Sequence, residues 1–194
     1  MTETEPVSLT TSGAVNIDVT ITCPLWAETL PTAPGLSLDA ADAAYQAALS
    51  HAKTDNIPGA EASIVLADDT FVRELNRDFR GQDKATNVLS FPAVGDDDPD
   101  VPEGAPLLLG DIIVAFETAA AEAKEQDKPL ADHLCHLVVH GMLHLLGFEH
   151  NSDIMADAME ALEINVLADL DIANPYDGGQ GDDKGDDKGD DKDE

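Results

Sequence analysis

Three histidines carry the clearest chemistry in this 194-residue chain. In the run His140-Gly141-Met142-Leu143-His144-Leu145-Leu146-Gly147-Phe148-Glu149-His150, the first two are four residues apart. On a helix that spacing stands two imidazoles one turn apart on one face, which is what a tetrahedral cation takes from a single helix. Gly147 supplies a break, because glycine adopts the positive φ that turns the chain, and the turn can return His150 as a third ligand. Neutral imidazoles bind borderline metals near pH 7. Three of them with an open fourth position describe a catalytic site for one zinc ion rather than a closed structural one. A lone helix histidine is usually an ordinary packed residue; three at this spacing point to a metal.

The neighbours of this run sharpen the chemistry. His133 and His136 lie one or two turns upstream near the same stripe, where they pack or orient a ligand or a water. Cys135 is about 140° around the helix from His140 at ~100° per residue, which makes it a buried thiol and not a ligand. The spacing follows the H-E-x-x-H-x-x-G-x-x-H pattern of metzincin peptidases, except that Gly141 stands where those enzymes carry their general-base glutamate. Glu149 is not placed to replace it. A metzincin-like metalloprotease or other peptide hydrolase is thus the disfavoured alternative.

A second cluster is cationic. Seven Lys and Arg precede the Gly/Asp/Lys tail, and four of them, Arg73, Arg77, Arg80 and Lys84, fall within twelve residues. Arg73, Arg77 and Arg80 share a helix face. For Arg73 and Arg77, a solvated face paired with Glu74, Asp78 and Asp83 is as good a reading as an anion site. Arg80 differs: it sits at the helix exit beside Gly81, ahead of the segment Thr86-Asn87-Val88-Leu89-Ser90-Phe91-Pro92. A guanidinium there can fork onto a phosphate.

Several elements must position these residues. Ala14–Thr22 alternates, with Val15, Ile17, Val19 and Ile21 on one side, and predicts a half-buried strand. Pro24 to Pro34 reads as a loop. Ser37 or Asp39 can cap a helix running to about Lys53. Glu61–Ala67 reads as a strand. Asp68 or Asp69 starts a helix that Gly81 ends, with Phe71, Val72, Leu75 and Phe79 at helical spacing. Asn87–Phe91 and Leu107–Phe116 read as strands, the second interrupted at Gly110-Asp111. A helix over Glu117–Gln126 follows, and Pro129 suits the first turn of the next. A last helix spans about Asp153–Ala173, with Met155, Met159, Leu162, Val166 and Leu170 inward. Four strands with interspersed helices predict one layered α/β or α+β domain over residues 14–176. Residues 1–13 read as a flexible N-terminus and residues 177–194 as a disordered acidic tail that repeats Gly-Asp-Asp-Lys.

Composition limits the partners. Forty Asp and Glu against ten Lys and Arg give a net charge of −30. The tail accounts for nine of the acids and three of the lysines, so the remaining 31 acids and seven bases still carry −24. Such a charge disfavours long-range attraction to nucleic acids or anionic membranes in general. A hydrophobic content of 43% excludes a disordered polyacid. Cys23 and Cys135 form no CxxC pair and imply no disulfide framework. The N-terminus lacks the basic and apolar regions of a secretory signal, and the charge-free stretch His133–Phe148 is too short to span a bilayer. The expected location is the cytoplasm, with no membrane partner.

Taken in order, the segments Leu75-Asn76, Phe79-Arg80-Gly81-Gln82-Asp83-Lys84-Ala85-Thr86-Asn87-Val88-Leu89-Ser90-Phe91-Pro92, Leu109-Gly110-Asp111-Ile112, His140 to His150 and Asn174-Pro175-Tyr176 resemble the YbeY family, bacterial zinc-dependent single-strand endoribonucleases of rRNA maturation. The likeness runs from about Val15 to Tyr176. It implies a small mixed four-stranded sheet packed by about five helices. It also implies zinc ligation by His140, His144 and His150 and a functional role for Arg80 in RNA cleavage. Single-stranded rRNA, the small ribosomal subunit or an assembly protein are the implied partners, and no DNA is expected. With Gly141 in place of a carboxylate base, turnover is expected to be modest. Against a body of charge −30, RNA affinity should be weak and salt-sensitive. A non-catalytic ribosome-assembly factor with structural zinc is the other reading the sequence leaves open.

Overall fold

The structure, a computed structural model, describes residues 9–10, 15–52, 59–93 and 107–177. The N-terminal residues other than 9–10, expected above to be flexible, and the tail beyond Asp177, expected to be disordered, lie outside the described residues, as does the acidic segment after Ala93. The strands are β1 (Leu9–Thr10), β2 (Val15–Ile21), β3 (Ala60–Ala67), β4 (Val88–Pro92) and β5 (Leu107–Ala115). The helices are α1 (Pro24–Thr29), α2 (Ala33–Ala52), α3 (Asp69–Arg80), α4 (Phe116–Glu125), α5 (Leu130–Leu145) and α6 (Asp153–Asp169).

The four expected strands make a mixed sheet, to which the two-residue β1 adds an edge. The order is β1-β2-β3-β5-β4. β2, β3 and β5 run parallel, while β1 pairs with β2 and β4 with β5 antiparallel. The alternation read in β2 holds: Val15, Ile17 and Val19 are fully buried and Asn16 is exposed. The interruption read at Gly110-Asp111 is a register shift, in which Glu61 pairs with Leu108 and Ala62 with Gly110.

The two faces of the sheet carry unequal layers. One face, with Ile17, Ile64, Ile112 and Val114, joins the main core with residues of α2, α5 and α6. The opposite face has a small cluster in which Val72 of α3 meets Ala67, Leu89 and Ile113. This explains one departure from expectation. The periodicity of α3 placed Phe71 and Phe79 inward, yet they are 43% and 70% exposed, and Val72 and Asn76 are its buried residues. Phe79 instead meets Phe91 edge-on, with ring centroids 5.3 Å apart.

The segment Pro24 to Pro34, read as a loop, holds α1 and the start of α2. Proline pre-sets the helical φ in a first turn, so Pro24 and Pro34 begin helices here rather than interrupt a coil. Trp26 anchors α1: it is fully buried, its Nε1 donates to the Ala67 carbonyl at 3.1 Å and its ring meets Phe116 edge-on. At the far end, Ser152 caps α6, and Met155 is 43% exposed rather than inward because the buried face of α6 begins at Met159. Among the described residues no helix is long and apolar enough to cross a membrane.

Candidate metal centre

Helix α5 positions the histidines. Ten of its sixteen residues are buried, which leaves a single partly open stripe on which His136, His140 and His144 follow one another at four-residue steps. Gly147 ends the run with φ 85°, the left-handed conformation that glycine adopts without a Cβ penalty. The turn is closed by Gly147 N–H to the His144 carbonyl and Phe148 N–H to the Leu143 carbonyl, each at 3.0 Å. It does two things at once: it brings His150 back to the helix end and it sets the Phe148 carbonyl 2.9 Å from His144 Nδ1.

The ligating atoms of His140, His144 and His150 all lie within 4.8 Å of one another. The hydrogen bonds behind two of the rings decide how their nitrogens face the centre. A backbone carbonyl only accepts, so His144 Nδ1 carries a proton and donates it to Phe148. His140 Nδ1 lies 2.7 Å from Glu163 Oε1, and an ionised carboxylate likewise only accepts. Both Nε2 atoms are then lone pairs in the neutral rings, and they face each other at 3.0 Å. No proton is available between them, so the pair is matched by a cation. The donor set fits a divalent borderline metal: three imidazoles on one turn of chain, one of them exposed and open to solvent. Burial, with His140 and His150 beside it, pushes the His144 imidazole down to about 4, so it is neutral at pH 7.

Glu163 of α6 is 1% exposed. Its Oε2 accepts from the Tyr176 hydroxyl and lies 3.5 Å from His136 Nε2. Burial alone raises this carboxyl, but the hydrogen bonds from His136 and His140, the field of His140 and the Tyr176 hydroxyl outweigh it. The carboxyl is held well below the usual carboxylate range and stays ionised. Sequence reading missed Glu163. Its signal was there: an acid four residues after Met159 and four before Leu167, on a stripe that is otherwise apolar and buried.

Gly141 is buried, and its missing side chain is a packing requirement. A Cβ built there would stand 2.9 Å from Ile112 Cγ2 and 3.1 Å from Ser90 Oγ. The position that bears a general base in metzincin peptidases therefore faces the sheet in this chain. Cys135 is 3% exposed, and burial pushes its thiol up to about 11, as expected of a packed residue.

The arginines separate as well. Arg73 grips Asp83 through Nε at 2.7 Å and Nη2 at 2.9 Å, and Arg77 holds Asp78 at 2.8 Å. Both are thus paired on the exposed face. Arg80 is exposed and forms no ion pair among the described residues; its Nη2 reaches the Ser90 carbonyl at 3.5 Å. The Ser90 hydroxyl in turn donates to the Gly141 carbonyl at 3.4 Å, beside His140. Arg80 is thus linked to the metal-centre helix through Ser90, with no hydrogen bond to the three histidines among the described residues. Its turn is pinned. Buried Asn76 donates to the Lys84 carbonyl at 2.8 Å, and Asn87 donates to Glu122, which also accepts from buried His133 at 2.8 Å. His133 thus packs away from the centre, whereas His136 lies behind it, beside Glu163.

Comparison with known proteins places this arrangement in a family. Residues 35–171 match the family model described as Endoribonuclease YbeY. The chain is 53% identical over 163 residues to "Endoribonuclease YbeY" of Paramagnetospirillum magneticum, which covers 84% of this chain and 96% of that protein. It is 49% identical over 164 residues to the protein of the same name from Azorhizobium caulinodans, with the same shares covered. A solution structure of a Thermotoga maritima protein aligns over 85% of this chain and 99% of that one, at 23% identity and a TM-score of 0.47. With most of its length matched at about half identity, from the Arg80 turn through the three histidines, the chain belongs to the YbeY endoribonuclease family.

Proposed function

We propose that this protein is a zinc-dependent endoribonuclease that hydrolyses phosphodiester bonds of single-stranded RNA in rRNA maturation and small-subunit quality control. Its partners in this reading are rRNA and the small ribosomal subunit or an assembly protein, and residues 14–176 form the catalytic unit. The observation that carries it is the convergence of three imidazoles, two of which turn unprotonated nitrogens toward each other at 3.0 Å. His140, His144 and His150 hold one zinc ion. Bound there, the ion supplies Lewis-acid chemistry toward a phosphodiester and acidifies water. Arg80 binds the scissile phosphate with its planar fork and offsets the charge that builds on its oxygens. In support, it is exposed and has no carboxylate competing for it among the described residues, unlike Arg73 and Arg77.

The peptidase alternative is weakened by the packing at Gly141, where the sheet fills the space a base would need. The names of the relatives support RNA as the substrate. We assign the activity to the cytoplasm, where rRNA matures, and expect neither DNA nor a membrane as partner. The test is cleavage of single- and double-stranded RNA by the parent, Arg80→Ala and His144→Ala, with zinc content measured in parallel. Single-strand cleavage should fall in both variants, and zinc should be lost only in His144→Ala. An Arg80→Ala protein that cuts as fast as the parent, or a His144→Ala protein that keeps its zinc, overturns the assignment.

A further inference from the structure

Glu163 is a buried carboxylate on a helix whose neighbouring inward positions, Met159, Leu162, Val166 and Leu167, are all apolar. A buried charge is costly unless it is paired and hydrogen-bonded, and here the polar partners of Glu163 are His140, His136 and Tyr176, at the metal centre or beside it. Oε1 takes His140 Nδ1 at 2.7 Å. Oε2 takes the Tyr176 hydroxyl and lies 3.5 Å from His136. Tyr176 is delivered by a turn near the end of the described chain. Its own N–H donates to Asn174 Oδ1 at 3.0 Å, and Lys128 Nζ donates to the Pro175 carbonyl at 2.6 Å. The ring also stands edge-on to His136, with centroids 5.9 Å apart.

We propose that Glu163 and Tyr176 are positioning residues for the ion held by the three histidines. Glu163 fixes the His140 tautomer and ring plane, so that Nε2 is presented as a lone pair, and it adds negative charge behind the ligand. Tyr176 occupies Oε2 and holds the carboxylate in the orientation that leaves Oε1 for His140. Carboxylates behind a ligating imidazole act in this way in metal sites generally. The turn at Asn174–Asp177 therefore serves the metal centre from outside the three-histidine run, through a chain of two hydrogen bonds. This inference rests on the three-histidine reading above.

A purely structural role, as a pin between α5 and α6, makes a different prediction, and zinc affinity separates the two. The experiment is competition for zinc against a chromogenic chelator at pH 7, with the parent, Glu163→Gln, Tyr176→Phe, the double variant and His144→Ala. The melting temperature of each zinc-free protein is measured alongside. His144→Ala should lose tight binding. Glu163→Gln should bind about 10- to 100-fold more weakly, the range for groups behind a ligand. Tyr176→Phe should weaken binding by a smaller factor. The double variant should match Glu163→Gln alone, because the hydroxyl acts through the carboxylate. If Glu163→Gln does not fold, Tyr176→Phe, which removes one oxygen from an exposed residue, decides by itself. Zinc affinity unchanged in Tyr176→Phe and Glu163→Gln, with His144→Ala defective, overturns this inference and leaves the metal site standing. Affinity unchanged in all variants, His144→Ala included, overturns the metal site itself.

Discussion

Replacing Gly141 by alanine sets two effects of known size against each other. In an exposed helix interior the change stabilises, because glycine is about 1 kcal/mol worse than alanine. Here the new methyl would stand 2.9 Å from Ile112 Cγ2, 3.1 Å from Ser90 Oγ and 3.3 Å from Ile112 Cδ1. Favourable carbon–carbon contact lies at about 3.5–4.0 Å, so the helix and sheet must part by roughly half an ångström. Ile112 is fully buried, so its side chain cannot swing out into solvent. Overpacking of this kind costs about 1–3 kcal/mol. Set against the propensity gain of about 1 kcal/mol, that cost leaves an expected net loss of about 0–2 kcal/mol. For a chain of this size that is a fall of up to about 8 °C in melting temperature. A double-mutant cycle isolates the cause: with Ile112→Ala the obstructing carbons are gone, and Gly141→Ala should then be neutral or stabilising. Because the same turn carries His140, the single variant should also bind zinc more weakly than the parent. A Gly141→Ala protein that melts higher than the parent, or one equally destabilised in the Ile112→Ala background, refutes the close-packing account. It would also reopen the peptidase comparison, since a side chain would then fit where a general base belongs.

The other expectations are narrower. Arg80→Ala should lower RNA cleavage by about 100-fold or more, the effect of losing one preorganised donor, while Arg73→Ala and Arg77→Ala, whose cations are paired in the open, should cut at near-parent rates in the same assay. In the zinc-free protein, His144 takes up its proton near pH 4 when folded and near about 6.5 when unfolded. The unfolded state then binds the proton first, so stability falls as pH drops from about 6.5 toward 4, and thermal melts of zinc-free parent and His144→Asn should converge across that window. Glu122 behaves oppositely in origin: although burial raises it, hydrogen bonds from His133 and Asn87 hold its carboxyl below the ordinary range. Its contribution is present above the unfolded value of about 4.3 and is lost as pH falls through the folded one, so Glu122→Gln should flatten the acid limb of the stability curve. Trp26→Phe should cost about 1–3 kcal/mol in chemical denaturation, because the Ala67 carbonyl loses a buried donor.

What could be read in the sequence was the part set by local spacing. The alternation of β2, the start of α3 at Asp68 or Asp69 and its stop at Gly81, and the meeting of His140, His144 and His150 all follow from residues a few positions apart. The rest depended on partners distant in the chain. Phe71 and Phe79 look inward by period, but α3 covers a small patch of the sheet and buries little beyond Val72 and Asn76. The prolines of the segment 24–34 look like coil, but a first helical turn welcomes proline, and Trp26 holds α1 through Ala67, 41 positions away. Glu163 reads as a solvated helix acid until His140 and Tyr176 are brought to it from 23 positions before and 13 after. The period of α6 can mark Glu163 as an acid on an apolar stripe, but the tertiary partners that satisfy it are not written in that period.

The net charge of −30 is the one global property that points away from RNA, and the arrangement of charges limits how far it reaches. At physiological ionic strength exposed charges more than about 8 Å apart scarcely feel one another, so an approaching phosphate responds to the groups around the metal centre and not to the sum over the chain. Of those groups Glu163 is an anion, but it is buried behind His140 and already carries hydrogen bonds from His140 and Tyr176. A divalent ion on the three imidazoles outweighs that single carboxylate by one unit. Arg80 adds a cation that no carboxylate of the described residues neutralises, whereas the neighbouring Arg73 and Arg77 are cancelled by Asp83 and Asp78. Removing the ion takes away that positive charge and leaves the Glu163 carboxylate buried behind His140. RNA affinity should therefore depend on the metal far more than on total charge: zinc-free protein should lose binding of a single-stranded RNA while its fold persists, and neutralising distant surface acids should change that binding much less than zinc removal does.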